Sequence, residues 1–371
     1  MSDINASELN ELADQINQIE EQPSALLGFD GFVDLIIHLV DERRTVDDYI
    51  RLYDMTKFAD LIHEASGKSA NVEMVPVRKK LGGNGPIMGQ ALLDGGASVS
   101  YIGALGKGRV HPVFEEFAER CDYLASLADP GHTEALEFKD GKLMLGKYQS
   151  LKDVSWKRLI DKVGQDQLDE LLRSTDLVAC LNWTMVQYMN GILSGLKPRF
   201  DALDQEPLLF IDLADPRKRT IEDQETMLDL ISEFDECATV ILGLNEEESR
   251  QIAEVLGLDP DVDHPVRARN IRSELELSRV VVHPVDSASV ATPDEVYSVQ
   301  GPYTESPQLT TGAGDNFNAG YCLGELYGFP PRKCLQMGVH TSGFYVREAE
   351  SPSPDQIASF MRERAQSATT T

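Results

Sequence analysis

Apolar positions along the chain follow two rhythms. Leu9, Leu12, Ile16 and Ile19 recur at helical spacing and predict an amphipathic first helix. The run SALLGFDGFVDLIIHLV, starting at Ser24, reads as an opening strand interrupted by Gly28, Asp30, Gly31 and Asp34. Residues 42–69 are polar and helical in pattern, and NVEMVPVRKKL then alternates through Val72, Met74 and Val77 as a half-exposed strand does. Beyond it, the short apolar runs SVSYIGALG, DLVACLN, PLLFIDLAD, TVILGLN and RVVVH suit strands buried on both faces. Helical stretches starting at Pro86, Thr184 and Ile221 lie between them. This alternation predicts an α/β fold of three layers, a mostly parallel central sheet with helices on both sides.

Two places break the rhythm. Residues 70–81, and ALEFKDGKLMLGKYQS with its Asp140-Gly141 turn, read as short antiparallel strands. They predict a small β-sheet lid on a single domain spanning 1–371, with lid strands inside 33–82 and 134–150. Gly82, Gly83 and Asn84 fall at the hinge of that lid.

Composition narrows the setting. A chain of 371 residues, 42% hydrophobic, can bury a large core. It has no apolar run of about 18 residues, so no membrane span is expected. The segment MSDINASELNELADQ lacks a basic region followed by an apolar one, so no secretory signal is expected either. Cys121, Cys180, Cys237, Cys322 and Cys334 are scattered and form no CxxC pair. That pattern fits a reducing, cytoplasmic setting rather than a disulfide framework. The net charge of −28 argues against nucleic-acid and anionic-membrane partners. Asn182-Trp183-Thr184 matches a glycosylation pattern that has no meaning in a cytoplasmic chain.

The most informative segment is Thr311-Gly312-Ala313-Gly314-Asp315, followed by NFNAG. A Gly-Ala-Gly turn into a helix leaves amide N–H groups unpaired at the positive end of the helix dipole. Without side chains, it lets an anion approach the backbone. Asp315, in the first turn, stands where a base for an attacking hydroxyl belongs. The plainer reading is a strand-to-helix turn with Asp315 as a helix-start residue. Asn245-Glu246-Glu247-Glu248, straight after TVILGL, offers a carbonyl and carboxylates that could order water around a hard cation. Its plainer reading is a helix cap.

These residues resemble the ribokinase-like carbohydrate kinases, over about residues 24–366. The resemblance implies a ribokinase-like fold and transfer of the ATP γ-phosphate to a small sugar or polyol. It makes Asp315 the base and Gly312, Ala313 and Gly314 the anion hole. ATP and Mg²⁺ are the implied cofactors, with Asn245, Glu248, Thr311, His283 and Asp286 on the nucleotide side. Asn245 and Glu248 would reach the metal through water. Asp30, Asp34, Gly82, Gly83 and Asn84 are the implied acceptor-binding residues, and Asp212 to Arg217 resembles a post-strand Asp-x-x-x-Arg region. Pairing through the lid, giving a homodimer, is a further implication. The chain departs from the family pattern at four places: Leu309-Thr310 lacks the leading Asp, Ile87 replaces an Asn, His283 to Ala288 replaces a Gly-x-x-Gly loop, and Gly106-Lys107-Gly108 replaces a Gly-Asp. The alternative readings are a catalytically altered relative that binds a ligand or partner, and a nucleoside kinase.

Overall fold

The computed structural model describes residues 5–369; residues 1–4 and 370–371 lie outside that range. Fourteen strands are found among the described residues: β1 Ser24–Gly28, β2 Phe32–Arg43, β3 Tyr49–Arg51, β4 Met74–Gly82, β5 Ser98–Gly103, β6 Tyr123–Ser126, β7 Gly131–Glu137, β8 Lys142–Lys147, β9 Leu177–Cys180, β10 Leu208–Asp212, β11 Thr239–Asn245, β12 Arg279–His283, β13 Ser287–Ala291 and β14 Val296–Gln300. The large sheet runs β14-β13-β12-β11-β10-β9-β1-β5-β6. It is parallel from β12 to β6 and antiparallel only at the β13–β14 edge.

Both faces of this sheet are covered, and the strand sequences show why. In β10, Leu209 and Ile211 enter one core while Phe210 enters the other. In β12, Val280 and Val282 face one way and Val281 the opposite way. Period-2 alternation in an all-apolar strand therefore fills two cores at once. The three-layer α/β architecture expected from the sequence is the one found.

The second sheet has β2 at its centre, antiparallel to β4 on one side and parallel to β7 on the other, with β3 and β8 outside. Ile37, Leu39, Leu52, Leu136 and Phe138 give this lid a small core, closed by Met55, Phe58 and Leu61 around the helix Met55–Glu64.

Four expectations need correction. The opening strand is two strands, β1 in the large sheet and β2 in the lid, with Asp30 and Gly31 between them. A Cβ on Gly31 would sit 2.2 Å from the Ala104 carbonyl oxygen, so the crossing point admits no side chain. Residues 42–69 are not helical throughout: β2 runs to Arg43 and β3 follows before the helix. The helix expected from Thr184 starts at Met189. Arg219 accounts for the loop before it, lying over the Trp183 ring at 4.4 Å and donating to the carbonyls of Trp183, Val186 and Gln187. The lid is also not purely antiparallel, since β2 and β7 run side by side. All five cysteines are free, and no helix of the described residues is long and apolar enough to cross a membrane.

Candidate active site

The parallel strands β1, β9, β10, β11 and β12 all release their chains at one edge of the sheet, where ligand sites of open α/β sheets form. Asp212, Asn245 and His283 end their strands there, and Asp30 and Asn182 stand just past the ends of β1 and β9. Asp30 is wholly buried and ties the edge together. Its carboxylate accepts from the amides of Asn84 (3.0 Å) and Gly85 (2.9 Å), and from Asn182 Nδ2 at 2.7 Å. Tyr101 Oη donates to the Asp30 carbonyl. Burial still dominates and pushes the Asp30 carboxyl up to about 6, against those hydrogen bonds.

Asp212 continues the network. Its Oδ1 accepts from Asn84 Nδ2 at 2.9 Å and from the Asn182 amide at 3.2 Å. Burial, and then the neighbouring Glu248 carboxylate, push Asp212 up to about 8. Glu248 is itself raised, chiefly by burial. It forms a capping box with Asn245: Asn245 Oδ1 accepts the Glu248 amide and Glu248 Oε2 accepts the Asn245 amide. Its other oxygen accepts the Asp215 amide, in a turn where Ala214 and Asp215 both have left-handed φ.

The Gly-Ala-Gly loop opens the helix Ala313–Leu326, with Gly312 at its N-cap, φ +96°, and no side chain capping it. The thin backbone at Gly312 is needed for contact, since a Cβ would meet Tyr345 Oη at 2.8 Å and Ile87 at 3.1 Å. Asp315 is buried in the first turn. Burial and then the carboxylates of Asp212, Asp30 and Glu248 push its carboxyl well above the usual range, while Lys80 pulls it back. Four carboxylates thus converge on one end of the sheet.

On the side expected to take the nucleotide, a cleft is lined by Asn245, His283, Thr310, Ala313, Gly314 and Phe317, among others. The His283 ring lies on Phe317, centroids 4.5 Å apart, and burial lowers its pKa to about 4. Asp286 lies on an exposed turn between β12 and β13 and is not part of that lining; its Oδ1 accepts from Ser287. Thr311 faces the lid, where its hydroxyl accepts from Lys142 Nζ at 3.1 Å. Arg217 pairs with Glu247 on the surface, both side chains more than half exposed.

Among the residues expected to bind the acceptor, Gly82 and Gly83 are forced by the acids beside them. A Cβ on Gly82 would overlap the Asp34 carboxylate, and one on Gly83 would come 2.9 Å from Asp30 Oδ2. Asp34 sits on β2, opposite Lys80 of β4 and Thr133 of β7. Burial raises its pKa while Lys80, Thr133 and Lys142 counter it. Sequence reasoning missed Asn182, Tyr101, Tyr345, Lys80 and Lys142. Asn182 carried a signal, an Asn directly after a buried strand, and it adopts a left-handed φ of 57°.

The profile of the prokaryotic ketohexokinase family matches residues 3–364. A ketohexokinase of Haloferax volcanii is 29% identical over 339 residues, 90% of each chain. Among solved structures, ribokinase of Thermotoga maritima superposes with a TM-score of 0.64 at 15% identity, covering 92% of this chain and 100% of its own. Arabidopsis thaliana ribokinase in complex with ribose and ATP gives 0.61 at 14%, covering 92% and 98%.

Proposed function

Since the chain belongs to the prokaryotic ketohexokinase family, and so is a carbohydrate kinase, we propose that it moves the ATP γ-phosphate to a hydroxyl of a ketohexose, with Asp315 as the base. One observation carries this reading: Asp315 stands in the first turn of a helix whose N-terminus has no side-chain cap, at the junction of the nucleotide cleft and the lid. The amides of that turn can receive phosphoryl oxygens, and the carboxylate beside them can take the proton of the attacking hydroxyl. Its raised proton affinity makes it the stronger base once ionised.

Asp34 suits the grip on the acceptor better than Asp30. Asp30 already accepts three strong donors, whereas Asp34 faces the lid side of the cleft with Lys80 and Thr133. Ile87 adds an apolar wall beside Gly312, where a ribose-like acceptor would leave a hydroxyl unpaired at about 1–3 kcal/mol. ATP would lie along the cleft between Asn245, His283 and Gly314.

The residues present fit Mg²⁺ held through water. Among the described residues no three His, Cys, Asp or Glu side chains are grouped to hold a metal directly. Asn245 and Glu248 spend hydrogen bonds on each other, yet Glu248 and Asp212 remain a buried like-charge pair that a hydrated dication would relieve. When bound, Mg²⁺ would neutralise charge developing on the nucleotide phosphates. A cytoplasmic location and a homodimer through the lid belong to the same reading, the exposed Met74, Val77, Met144 and Leu145 of the lid offering apolar contact.

The test is nucleotide consumption across ketohexoses, aldohexoses, ribose, polyols and nucleosides. A ketohexose is expected to give the highest kcat/KM. Ribose or a nucleoside as best acceptor overturns the ketohexose reading, and no turnover with any acceptor favours a ligand-binding relative.

A further inference from the structure

The nucleotide cleft is short of positive charge. Among the described residues no Lys or Arg lines it, and its His283 is held neutral by burial. Behind it stand the Asp30, Asp212, Glu248 and Asp315 carboxylates. A triphosphate entering such a site meets repulsion that a helix N-terminus of about half a charge does not cancel.

The cations come from the other wall. Lys80 on β4 stands in one row with Asp34 and Thr133, across three adjacent lid strands, and is half-buried. It is the positive charge felt at Asp315 among three negative ones. Lys142 begins β8 at the tip of the β7–β8 hairpin, 3.2 Å from Glu137, and donates to the Thr311 hydroxyl. Thr311 directly precedes Gly312, and the Thr311 carbonyl is fixed by Tyr345 Oη at 2.8 Å. Charge from Arg78, two residues before Lys80, reaches the same Tyr345. Every cation named here that faces the carboxylates or the loop is carried by the lid.

We propose that the lid supplies the cationic half of the phosphoryl site, Lys80 contacting oxygens of the transferring γ-phosphoryl group and Lys142 latching the lid tip to the anion loop through Thr311. In the transfer, the acceptor oxygen bonds to phosphorus as its proton passes to Asp315. The bond from phosphorus to the bridging oxygen breaks, and its electron pair leaves with ADP. Lys80 keeps its protons throughout and balances charge on the non-bridging oxygens. The inference rests on the kinase reading, and it ties closure to chemistry, because an open lid removes the charge that makes the triphosphate welcome.

The deciding measurement is binding rather than turnover. Affinities for Mg²⁺-ADP and for a non-hydrolysable Mg²⁺-ATP analogue are compared by calorimetry in wild type, Lys80→Met, Lys80→Arg and Lys79→Ala. Lys80→Met keeps the stem and is expected to weaken the triphosphate about tenfold or more while barely changing the diphosphate. Lys80→Arg should recover part of the preference, and Lys79→Ala, next along the strand but out of the Asp34 row, should behave as wild type. With a ketohexose, Lys80→Met should lower kcat about a hundredfold at near-constant acceptor KM. Lys142→Ala should instead raise KM for both substrates. A Lys80→Met protein that keeps the triphosphate preference overturns the proposal, as does a wild type with none. If no ketohexose is turned over, the functional reading fails, but the binding comparison still decides the role of Lys80.

Discussion

Two glycine turns open two helices that pack against each other, and they treat their N-termini in opposite ways. At Gly82-Gly83 the helix Asn84–Asp94 receives an anion from the protein itself: the Asp30 carboxylate takes the amides of Asn84 and Gly85. At Gly312 the helix Ala313–Leu326 has no such internal partner, and a Cβ on Gly314 would meet nothing closer than His283 at 3.6 Å. The same local chemistry, small residues and a positive helix end, is structural in one case and suited to a ligand in the other. What separates them is whether the fold has already spent a carboxylate there.

The contrast can be broken most forcefully at Asp315. Asp315→Asn should lower kcat about a hundredfold or more, since the amide keeps the shape without the proton acceptor. It should also raise the melting temperature, because a buried carboxylate beside three others is replaced by a neutral group. Near-normal turnover removes Asp315 from the chemistry.

Gly314→Ala gives the next effect. The free protein has room for the methyl group and the helix gains propensity, so thermal stability should hold or improve. Turnover should nonetheless fall about tenfold, because the added carbon stands where phosphoryl oxygens approach the backbone. Unchanged kinetics would make this turn as structural as the one at Gly82.

Asp30→Ala should reverse the pattern, costing stability ahead of catalysis. At pH 5 it leaves two buried donors and one half-buried donor without their partner, at about 1–3 kcal/mol for each buried one. The folded carboxyl binds its proton more tightly than the unfolded one, with a pKa of about 6 against 3.8. Wild type therefore loses stability as pH rises from 4 to 6, by up to roughly 3 kcal/mol, a loss the variant does not share. Denaturant titrations should show the gap between the two proteins narrowing from pH 4 to pH 7. A gap that stays constant or widens contradicts the assignment.

The smallest effect is expected at Glu248. Glu248→Gln should raise the Mg²⁺ concentration for half-maximal rate a few-fold, by removing one charge from beside Asp212. An unchanged Mg²⁺ dependence confines Asn245 and Glu248 to the capping box.

What could be read from the sequence follows from how local each feature is. The five-residue loop ending at Asp315 was legible because its glycines, its dipole and its acid are contiguous. The layered sheet was legible because buried strands carry apolar runs. The break between β1 and β2 was not resolved, since both strands share one apolar pattern and only Asp30 and Gly31 mark the crossing. The Asp30 hub was beyond reach for another reason: its partners come from positions 84, 85 and 182. The lid lysines were hidden likewise, because β4 and β8 look like ordinary half-exposed strands until the fold sets them across from the loop.

The first and last helices of the described chain meet. The helix Ala6–Ile16 packs on Pro354–Thr369, and Glu8, Glu11 and Asp14 pair with Arg332, Lys333 and Arg362. During synthesis on the ribosome, Leu9, Leu12 and Ile16 precede the helix Pro354–Thr369 that packs on theirs by more than 300 positions. The nascent chain thus carries an apolar stripe without its partner helix while more than 300 residues are added. At about 5–20 residues per second that wait is tens of seconds, a window in which chaperone occupancy of the first helix should be highest.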